Sequence, residues 1–213
     1  MATVKEWKER RGDEMRELIL DSAAKIFNEK GFERATTKEV ARRTGVSEGT
    51  IYNYFENKRE LLLSLVRRFA DTASSLFQGQ IGSDIGDAAA PQGLGARYFF
   101  ERVQMFREGL SPTLIFYLAK RDPEVQSILE SFWSGALGER LRPQIKELQA
   151  KGVLREIDLD FLGAFFRAIV LGLATMIDID APETRVKLSL EEMSRMARDV
   201  VWYGLMAPSR REK

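Results

Sequence analysis

Apolar residues recur every three or four positions along most of the chain, which is the spacing of one face of an α-helix. The first such stretch covers residues 14–30 and stops at Gly31, a residue type that readily ends helices. The pattern therefore predicts an all-α protein. The other stretches predicted to be helical are 58–77, 97–138, 141–151, 158–177 and 189–206.

Residues 36–61 predict two short helices joined by a tight turn and followed by the start of a third. Thr36 and Glu39 have the spacing of a capping box, in which each side chain accepts from a backbone N–H of the first turn. Gly45 suits the positive φ of a helix end, and Ser47 can cap the next helix. Such a short connection forces a steep crossing, as in a helix-turn-helix.

The second short helix is expected to expose a polar face once its apolar residues have packed inward. Small groups at its start could enter a DNA major groove and offer donors to bases and phosphates. The alternative is an ordinary two-helix corner, since glycine turns and serine caps occur there too. The residues available for packing are Val40, Val46, Ile51 and Phe55, and those left exposed are Ser47, Glu48, Gly49, Thr50, Tyr52, Asn53 and Tyr54.

Two further features favour the DNA-reading alternative. Tyr52 and Tyr54 lie on an otherwise polar surface, and residues 57–60 open the third helix with a cap and two cations. The N-terminus of a helix attracts anions such as phosphate. At this point the stretch resembles the DNA-binding domain of the TetR family of bacterial transcriptional regulators. The residues that carry the resemblance are Ala35-Thr36-Thr37, Glu39-Val40-Ala41, Gly45-Val46-Ser47, Gly49-Thr50-Ile51-Tyr52, Tyr54-Phe55, Asn57-Lys58 and Glu60-Leu61-Leu62, with Ile19-Leu20, Ala23-Ala24, Phe27 and Gly31-Phe32 upstream.

The resemblance covers roughly the first third of the chain and implies a homodimeric transcription factor, usually a repressor. It further implies a small DNA-binding domain and a larger C-terminal helical domain that binds a small effector and dimerises. The DNA-binding domain is predicted over residues 1–60, with an N-terminal arm over 1–13, and the ligand-binding and dimerisation domain over 61–213. The operator is expected to be near-palindromic double-stranded DNA.

Site residues follow from the same resemblance. Phosphate contacts are implied for Thr37, Lys38, Tyr52, Tyr54 and Lys58, and base-reading or groove-facing roles for Ser47, Glu48, Gly49 and Thr50. Among these, Glu48 is exceptional because a carboxylate is repelled by phosphates. It needs a cytosine amino group or a neighbouring cation, and otherwise it faces solvent.

Two segments beside the predicted helices are expected to be irregular. Residues 2–12 are highly charged, which predicts a frayed leader or an arm that touches DNA through Lys8, Arg10 and Arg11. Residues 78–96 are rich in glycine and predict a loop.

Aromatic residues are concentrated in 97–138, where they fill a core or line a cavity for an effector. Ser111-Pro112 and Asp122-Pro123 each predict a cap followed by proline in the first helical position. A hydrophobic or amphipathic effector of unknown identity suits this composition, and an arginine would suit an acidic head group. The candidate ligand-binding residues are Phe116, Tyr117, Arg121, Trp133, Phe166 and Arg167.

The stretch 158–177 is apolar on almost every face, so it needs cover on every face. Together with 189–206 it is predicted to form a four-helix interface in a homodimer. Arg167 is the only charge after Asp160 in the first of these stretches, and it is expected to find a carboxylate, a carbonyl or an anionic ligand.

The composition of the chain excludes several kinds of catalytic and metal site. The formal net charge is +1, and the chain contains neither cysteine nor histidine, which removes disulfides, Cys/His zinc sites and histidine-based catalytic triads. We predict no cofactor, no metal, no membrane span, a cytoplasmic location and no enzymatic activity. The alternative to an effector-controlled regulator is a DNA-binding protein of the same fold that a protein partner controls.

Overall fold

The computed structural model describes residues 4–78, 109–135, 139, 142–177 and 192. These residues form α-helices and no β-strand, so the all-α prediction is confirmed. The helices are α1 (Val4–Lys30), α2 (Thr37–Thr44), α3 (Glu48–Tyr54), α4 (Lys58–Gln78), α5 (Pro112–Ala119), α6 (Pro123–Trp133), α7 (Arg142–Ala150) and α8 (Leu159–Ile177).

The first four helices share one hydrophobic core. Phe27 of α1, Val40 of α2 and Ile51 of α3 are wholly buried in it, together with Leu61 and Leu62 of α4. These residues are the inward members of the helical apolar pattern, and their burial stabilises the domain by roughly 1.5–3 kcal/mol for each large side chain. The same core continues through α5 and α6.

Helix α1 begins ten residues earlier than the sequence pattern predicts. It starts at Val4, so the prediction of a frayed leader over 2–12 is wrong from that residue onward. Lysine, glutamate and arginine are strong helix formers, and the single Gly12 costs only about 1 kcal/mol relative to alanine. A DNA-contacting role for residues 1–13 stays a prediction.

The later helices lie close to their predicted positions. Helix α4 ends one residue beyond the predicted 77, and it crosses the predicted domain boundary at 60/61 as one continuous helix. Helix α7 is followed by Gly152 with φ of 65°, and α8 matches the predicted apolar stretch within one residue. The predicted loop 78–96 lies outside the described residues except for Gln78, which is helical as the last residue of α4. Residues 189–206 also lie outside them, apart from Glu192.

The predicted caps of α5 and α6 are confirmed. The Ser111 hydroxyl accepts from the backbone N–H of Leu114 at 3.5 Å, and Pro112 follows it. Asp122 accepts from the backbone N–H groups of Glu124 and Val125 at 3.0 and 3.4 Å. Each proline occupies a first-turn position that has no intrahelical acceptor for a backbone N–H.

Polar contacts connect α1 and α4 to the residues that precede α5 and open α6. Arg59, in the first turn of α4, forms an ion pair with Asp122 and reaches Glu124 at 3.2 Å. Arg67 reaches the same Glu124 at 3.3 Å. Asn28 of α1 donates to the carbonyl of Gly109 at 3.0 Å. The N-terminal helices are therefore held directly against the elements that precede and open α6.

Candidate nucleic-acid interface

The start of α2 is fixed by a complete capping box. The Glu39 backbone N–H donates to the Thr36 hydroxyl at 3.3 Å, and the Thr36 backbone N–H donates to the Glu39 carboxylate at 3.1 Å. Lys30 pairs with the same carboxylate, and together with Thr36 it holds the pKa of Glu39 below its ordinary value. The predicted cap is confirmed, and it also connects α2 to the end of α1.

The turn between α2 and α3 depends on one left-handed residue. Gly45 has φ of 80° and ψ of 26°, a conformation that other residues adopt only with strain. The N–H groups of Gly45 and Val46 both donate to the Ala41 carbonyl, at 2.9 and 3.0 Å. The chain can therefore leave α2 and reach the first residue of α3 within three residues.

Helix α3 begins at the predicted cap. The backbone N–H of Thr50 donates to the Ser47 hydroxyl at 3.1 Å, and the two side-chain oxygens lie 2.8 Å apart. At the other end, Phe55 leaves the helix in an extended conformation. A capping side chain of this kind contributes about 1 kcal/mol. This short helix is thus defined at both ends by local interactions.

Helix α3 turns one face to the core and the opposite face to solvent. Ile51 is completely buried, whereas Gly49, Tyr52 and Asn53 are exposed, and the two side chains follow Gly49 by three and four residues on one ridge. A Cβ at Gly49 would meet only the Ser47 hydroxyl, at 3.7 Å, which is ordinary contact. Packing within the domain therefore does not require glycine at this position.

Three predicted site residues form a hydrogen-bonded cluster across the α2–α3 corner. Thr37 donates its hydroxyl to Glu48 Oε1 at 2.6 Å, and the Tyr52 hydroxyl lies 3.2 Å from the Thr37 hydroxyl. Thr37 is only 8% exposed, whereas Tyr52 is 51% exposed. Glu48 therefore does not simply face solvent, because one of its carboxylate oxygens is anchored to α2.

Arg16 of α1 supports the far end of α3. Its guanidinium donates to the carbonyl of Tyr54 at 3.0 Å and to the hydroxyl of Ser64 at 3.2 Å. It also lies over the Phe55 ring, 4.3 Å from the ring centroid. One side chain thus joins α1, the end of α3 and α4. The sequence pattern did not single out Arg16, because contacts across 38 and 48 residues leave no local signal.

Lys58 has a structural role in addition to its predicted phosphate contact. Its ammonium donates to the carbonyls of Phe32, Glu33 and Ala35 at 2.9, 3.2 and 3.0 Å. These carbonyls belong to the segment between α1 and α2 and occupy all three donors of the ammonium. The phosphate contact stays a prediction, and it would have to compete with these bonds.

Lys38 and Arg42 are exposed cations one turn apart on the outer face of α2. Within the described part of the chain neither has an ion-pair partner. Lys38 belongs to the predicted site and Arg42 does not, although the i, i+4 spacing of these two cations on a polar face was available as a signal. Asn53 is also absent from the predicted site, although an exposed amide can read an adenine edge.

The candidate ligand residues do not converge on one place. Arg121 stacks on Tyr117, with its guanidinium carbon 3.9 Å from the ring centroid, and Tyr117 is exposed. Phe116 packs against the core, and Trp133 is buried in it beside Phe132. Arg167 is exposed on α8, and nothing is described of the Phe166 side chain. The structure therefore brings together Tyr117 and Arg121 among the predicted residues.

Metal chemistry and membrane insertion find no support in the described ranges. Acidic side chains do not cluster there in a way that could hold a metal ion. None of the helices in those ranges is both long enough and apolar enough to cross a membrane.

The family model for bacterial regulatory proteins of the tetR family matches residues 19–65. The fatty acid metabolism regulator protein of Bacillus subtilis (strain 168) is 39% identical over 49 residues, which are 23% of this chain and 25% of that protein. The transcriptional repressor AcnR of Corynebacterium efficiens is 40% identical over 63 residues, 28% of this chain and 34% of that protein. The similarity in sequence thus spans about a quarter to a third of these relatives.

Solved structures extend the similarity in fold to most of the chain. The fatty acid degradation regulator FadR of Bacillus halodurans matches with a TM-score of 0.64 at 20% identity, covering 89% of this chain and 95% of that one. The ketosteroid transcriptional regulator KstR2 of Mycobacterium tuberculosis matches with a TM-score of 0.60 at 20% identity, covering 90% and 94%. At such identities the matches establish the fold alone.

Proposed function

Because the chain belongs to the tetR family of bacterial regulatory proteins through its residues 19–65, we propose that it is a homodimeric DNA-binding transcriptional regulator of the cytoplasm. We further propose that it acts as a repressor on a near-palindromic operator. The relatives matched in sequence and structure are named as regulators rather than enzymes, which agrees with the absence of cysteine and histidine from the chain.

The observation that carries the proposal is the outward ridge of α3. It combines an unobstructed glycine with hydrogen-bonding side chains, and the helix is capped by Ser47 at its start and held by Arg16 at its end. A helix of this kind can enter a major groove without rearranging. Preformed geometry lowers the cost of ordering side chains on binding.

The proposed contacts fall into two groups. Lys38, Tyr54 and Lys58 contact phosphates, and Thr37 contributes its backbone N–H at the start of α2 because its hydroxyl is already bonded to Glu48. Tyr52 contributes the surface of its exposed ring, because its hydroxyl lies 3.2 Å from that of Thr37 and donates to it. Base edges are read from the first turn of α3. The residues of that second group are Ser47, Glu48, Gly49 and Thr50.

Pairing of two copies through α8 and residues 189–206 supplies the second half-site contact. Phe161 and Phe165 are 58% and 42% exposed on α8 in a single chain, and their rings stack with centroids 6.1 Å apart. Exposed aromatic residues of this kind suit a buried protein interface. In the dimer the two α3 helices would lie about one DNA turn apart, roughly 34–36 Å.

Release is proposed to follow from a small hydrophobic or amphipathic effector that binds among the C-terminal helices and moves α4. The ion pairs of Arg59 and Arg67 with α6 supply a physical connection between the two regions. An effector acts this way only if it binds one arrangement more tightly than the other. The names of two matched regulators, one for fatty acid metabolism and one for fatty acid degradation, favour an acidic amphipathic molecule.

The second candidate is a regulator of the same fold whose C-terminal surface engages a protein partner. The exposed pair Tyr117 and Arg121 favours it, because aromatic and arginine side chains are enriched at protein interfaces. A filled C-terminal domain without a cavity would also favour it.

DNA binding is tested by fluorescence anisotropy with the DNA upstream of the protein's own operon. Lys38→Ala is expected to weaken binding severalfold and to lower the slope of log affinity against log salt by about 1, with unchanged melting temperature. Lys58→Ala is expected to lower both affinity and melting temperature, because it also removes three bonds to carbonyls. A wild-type protein that prefers no operator sequence over random DNA would refute the proposed function.

A further inference from the structure

Glu48 lies where a carboxylate is unfavourable for DNA binding. It is the first residue of α3, between the capping Ser47 and Gly49, and it is half-buried. Within the described residues it has no ion-pair partner that could neutralise it. In a major groove its charge would face the phosphates of both strands, so it would weaken binding to any site that offers it no donor.

The hydrogen bonds of the cluster orient this carboxylate. A threonine hydroxyl has one hydrogen, and Thr37 gives it to Glu48 Oε1 at 2.6 Å. In the 3.2 Å contact between Thr37 and Tyr52 the donor is therefore the tyrosine hydroxyl. The chain of donors thus runs from Tyr52 through Thr37 to Glu48.

One oxygen of Glu48 is consequently satisfied, and the other has no donor among the described residues. A fixed acceptor at the start of α3 needs a base edge that offers a donor. Cytosine presents its N4 amino group in the major groove, whereas adenine places an acceptor, N7, beside its amino group. A carboxylate therefore favours cytosine over adenine and over the acceptors of guanine.

We propose that Glu48 is a specificity-determining residue that accepts from the N4 amino group of one cytosine in each half-site. Thr37 and Tyr52 are positioning residues that hold its carboxylate. This inference rests on the proposed function, and it adds a base requirement to the proposed operator. On DNA without that cytosine the same carboxylate acts as a repulsive element and suppresses non-specific binding.

The test is selection of sites from a randomised double-stranded DNA pool by the full-length wild type, Glu48→Gln and Glu48→Ala. The wild type is expected to select cytosine at one position of each half-site. Glu48→Ala should lose that preference alone, and Glu48→Gln should shift it toward adenine. On the selected site, affinity of the alanine variant should fall roughly 5- to 150-fold, while its affinity for random DNA should rise severalfold.

Thr37 variants separate positioning from a merely structural role. Thr37→Val removes the donor and should weaken the cytosine preference although Glu48 is present, and Thr37→Ser should restore it. Melting temperatures of all variants are measured alongside. The inference is overturned if the wild type selects a site with no Glu48-dependent cytosine, or if the variants bind DNA of every sequence more weakly by the same factor. A wild type that selects no sequence refutes the proposed function itself, and the inference with it.

Discussion

At the scale of single residues, Gly49 is the clearest sign that the α3 surface is shaped for something outside the domain. Glycine costs a helix about 0.5–1 kcal/mol relative to alanine, and packing here gives nothing in return, because a Cβ would meet only Ser47 at 3.7 Å. We expect the compensating gain in an interaction with a partner. Close approach of a DNA backbone or base edge supplies such a gain.

Gly49→Ala is therefore expected to maintain or raise the free energy of unfolding, by up to about 1 kcal/mol, and to weaken operator binding. Urea unfolding and anisotropy titration measure the two effects on the same preparation. Ser47→Ala is the matched variant, since it should weaken DNA binding and lower stability by about 1 kcal/mol through loss of the cap. Unchanged operator affinity in Gly49→Ala would remove the argument for close approach at this residue.

Arg16 supports α3 from the side that faces away from the proposed DNA interface. Arg16→Met keeps much of the side-chain length but loses the hydrogen bonds to the Tyr54 carbonyl and the Ser64 hydroxyl. Hydrogen bonds of charged groups contribute about 1.5–3 kcal/mol, so stability should fall by roughly that amount. The affinity for DNA should fall only indirectly, to the extent that α3 becomes less ordered without Arg16. Equal melting curves for the variant and the wild type would show that Arg16 does not hold α3.

At the scale of whole elements, local rules explain what the sequence pattern could predict. Every cap that the pattern predicts is formed in the described helices, because Thr36, Ser47, Ser111 and Asp122 bond to backbone groups two or three residues away. The start of α1 could not be predicted equally well, since its charged residues show no apolar periodicity and their helix depends on intrinsic propensity and on continuity with the rest of α1.

Polar contacts between distant elements could not be predicted from the sequence pattern. The ammonium of Lys58 lies against carbonyls 23–26 residues earlier, and the guanidinium of Arg59 meets Asp122, 63 residues later. Nothing in the spacing of charges distinguishes these cations from the solvated Lys38. The resemblance could therefore assign Lys58 to DNA without showing its role in the fold.

The contact between α4 and α6 gives an element-scale prediction with a pH signature. Arg59 holds the pKa of Asp122 below its ordinary value, so the pair contributes stability that is complete above the unfolded-state pKa. That contribution is lost as the pH falls through the lower, folded-state pKa. Asp122→Asn keeps an oxygen for the α6 cap but lacks the charge.

The variant should therefore be slightly less stable than the wild type at pH 7. The difference in stability should begin to shrink as the pH falls below the ordinary carboxyl pKa of 3.8, and it should disappear below the lower, folded-state pKa. Thermal unfolding measured from pH 7 down through acid pH tests this. If α6 controls α4 through this pair, Asp122→Asn should also change the effector dose needed for release. A stability difference that is the same at every pH would show that the charge is not responsible.

At the scale of the whole molecule, the proposed operator requires two copies of α3, so loss of dimerisation is expected to weaken binding to the full operator. Helix α8 of one chain exposes Phe161 and Phe165, and Ala164 and Ala168 lie exposed beside them. The proposed dimer interface would cover this apolar face. Arg167 lies on the same helix, with its guanidinium close to Gly163.

Replacing Phe161 and Phe165 together by serine is expected to give a monomer, because the aromatic area that drives pairing is removed while the buried Leu162 stays in place. Sedimentation equilibrium measures the mass, and anisotropy measures binding to a full operator and to one half-site. The affinity of the monomer for the full operator should fall at least about 100-fold, because bivalent binding is lost, while its affinity for a half-site should be unchanged.

Leu18→Ser is the control, since it removes an exposed apolar residue of α1 far from α8 in sequence and should leave the mass unchanged. A variant that remains dimeric would place the interface elsewhere, and a monomer with full operator affinity would contradict the requirement for two copies.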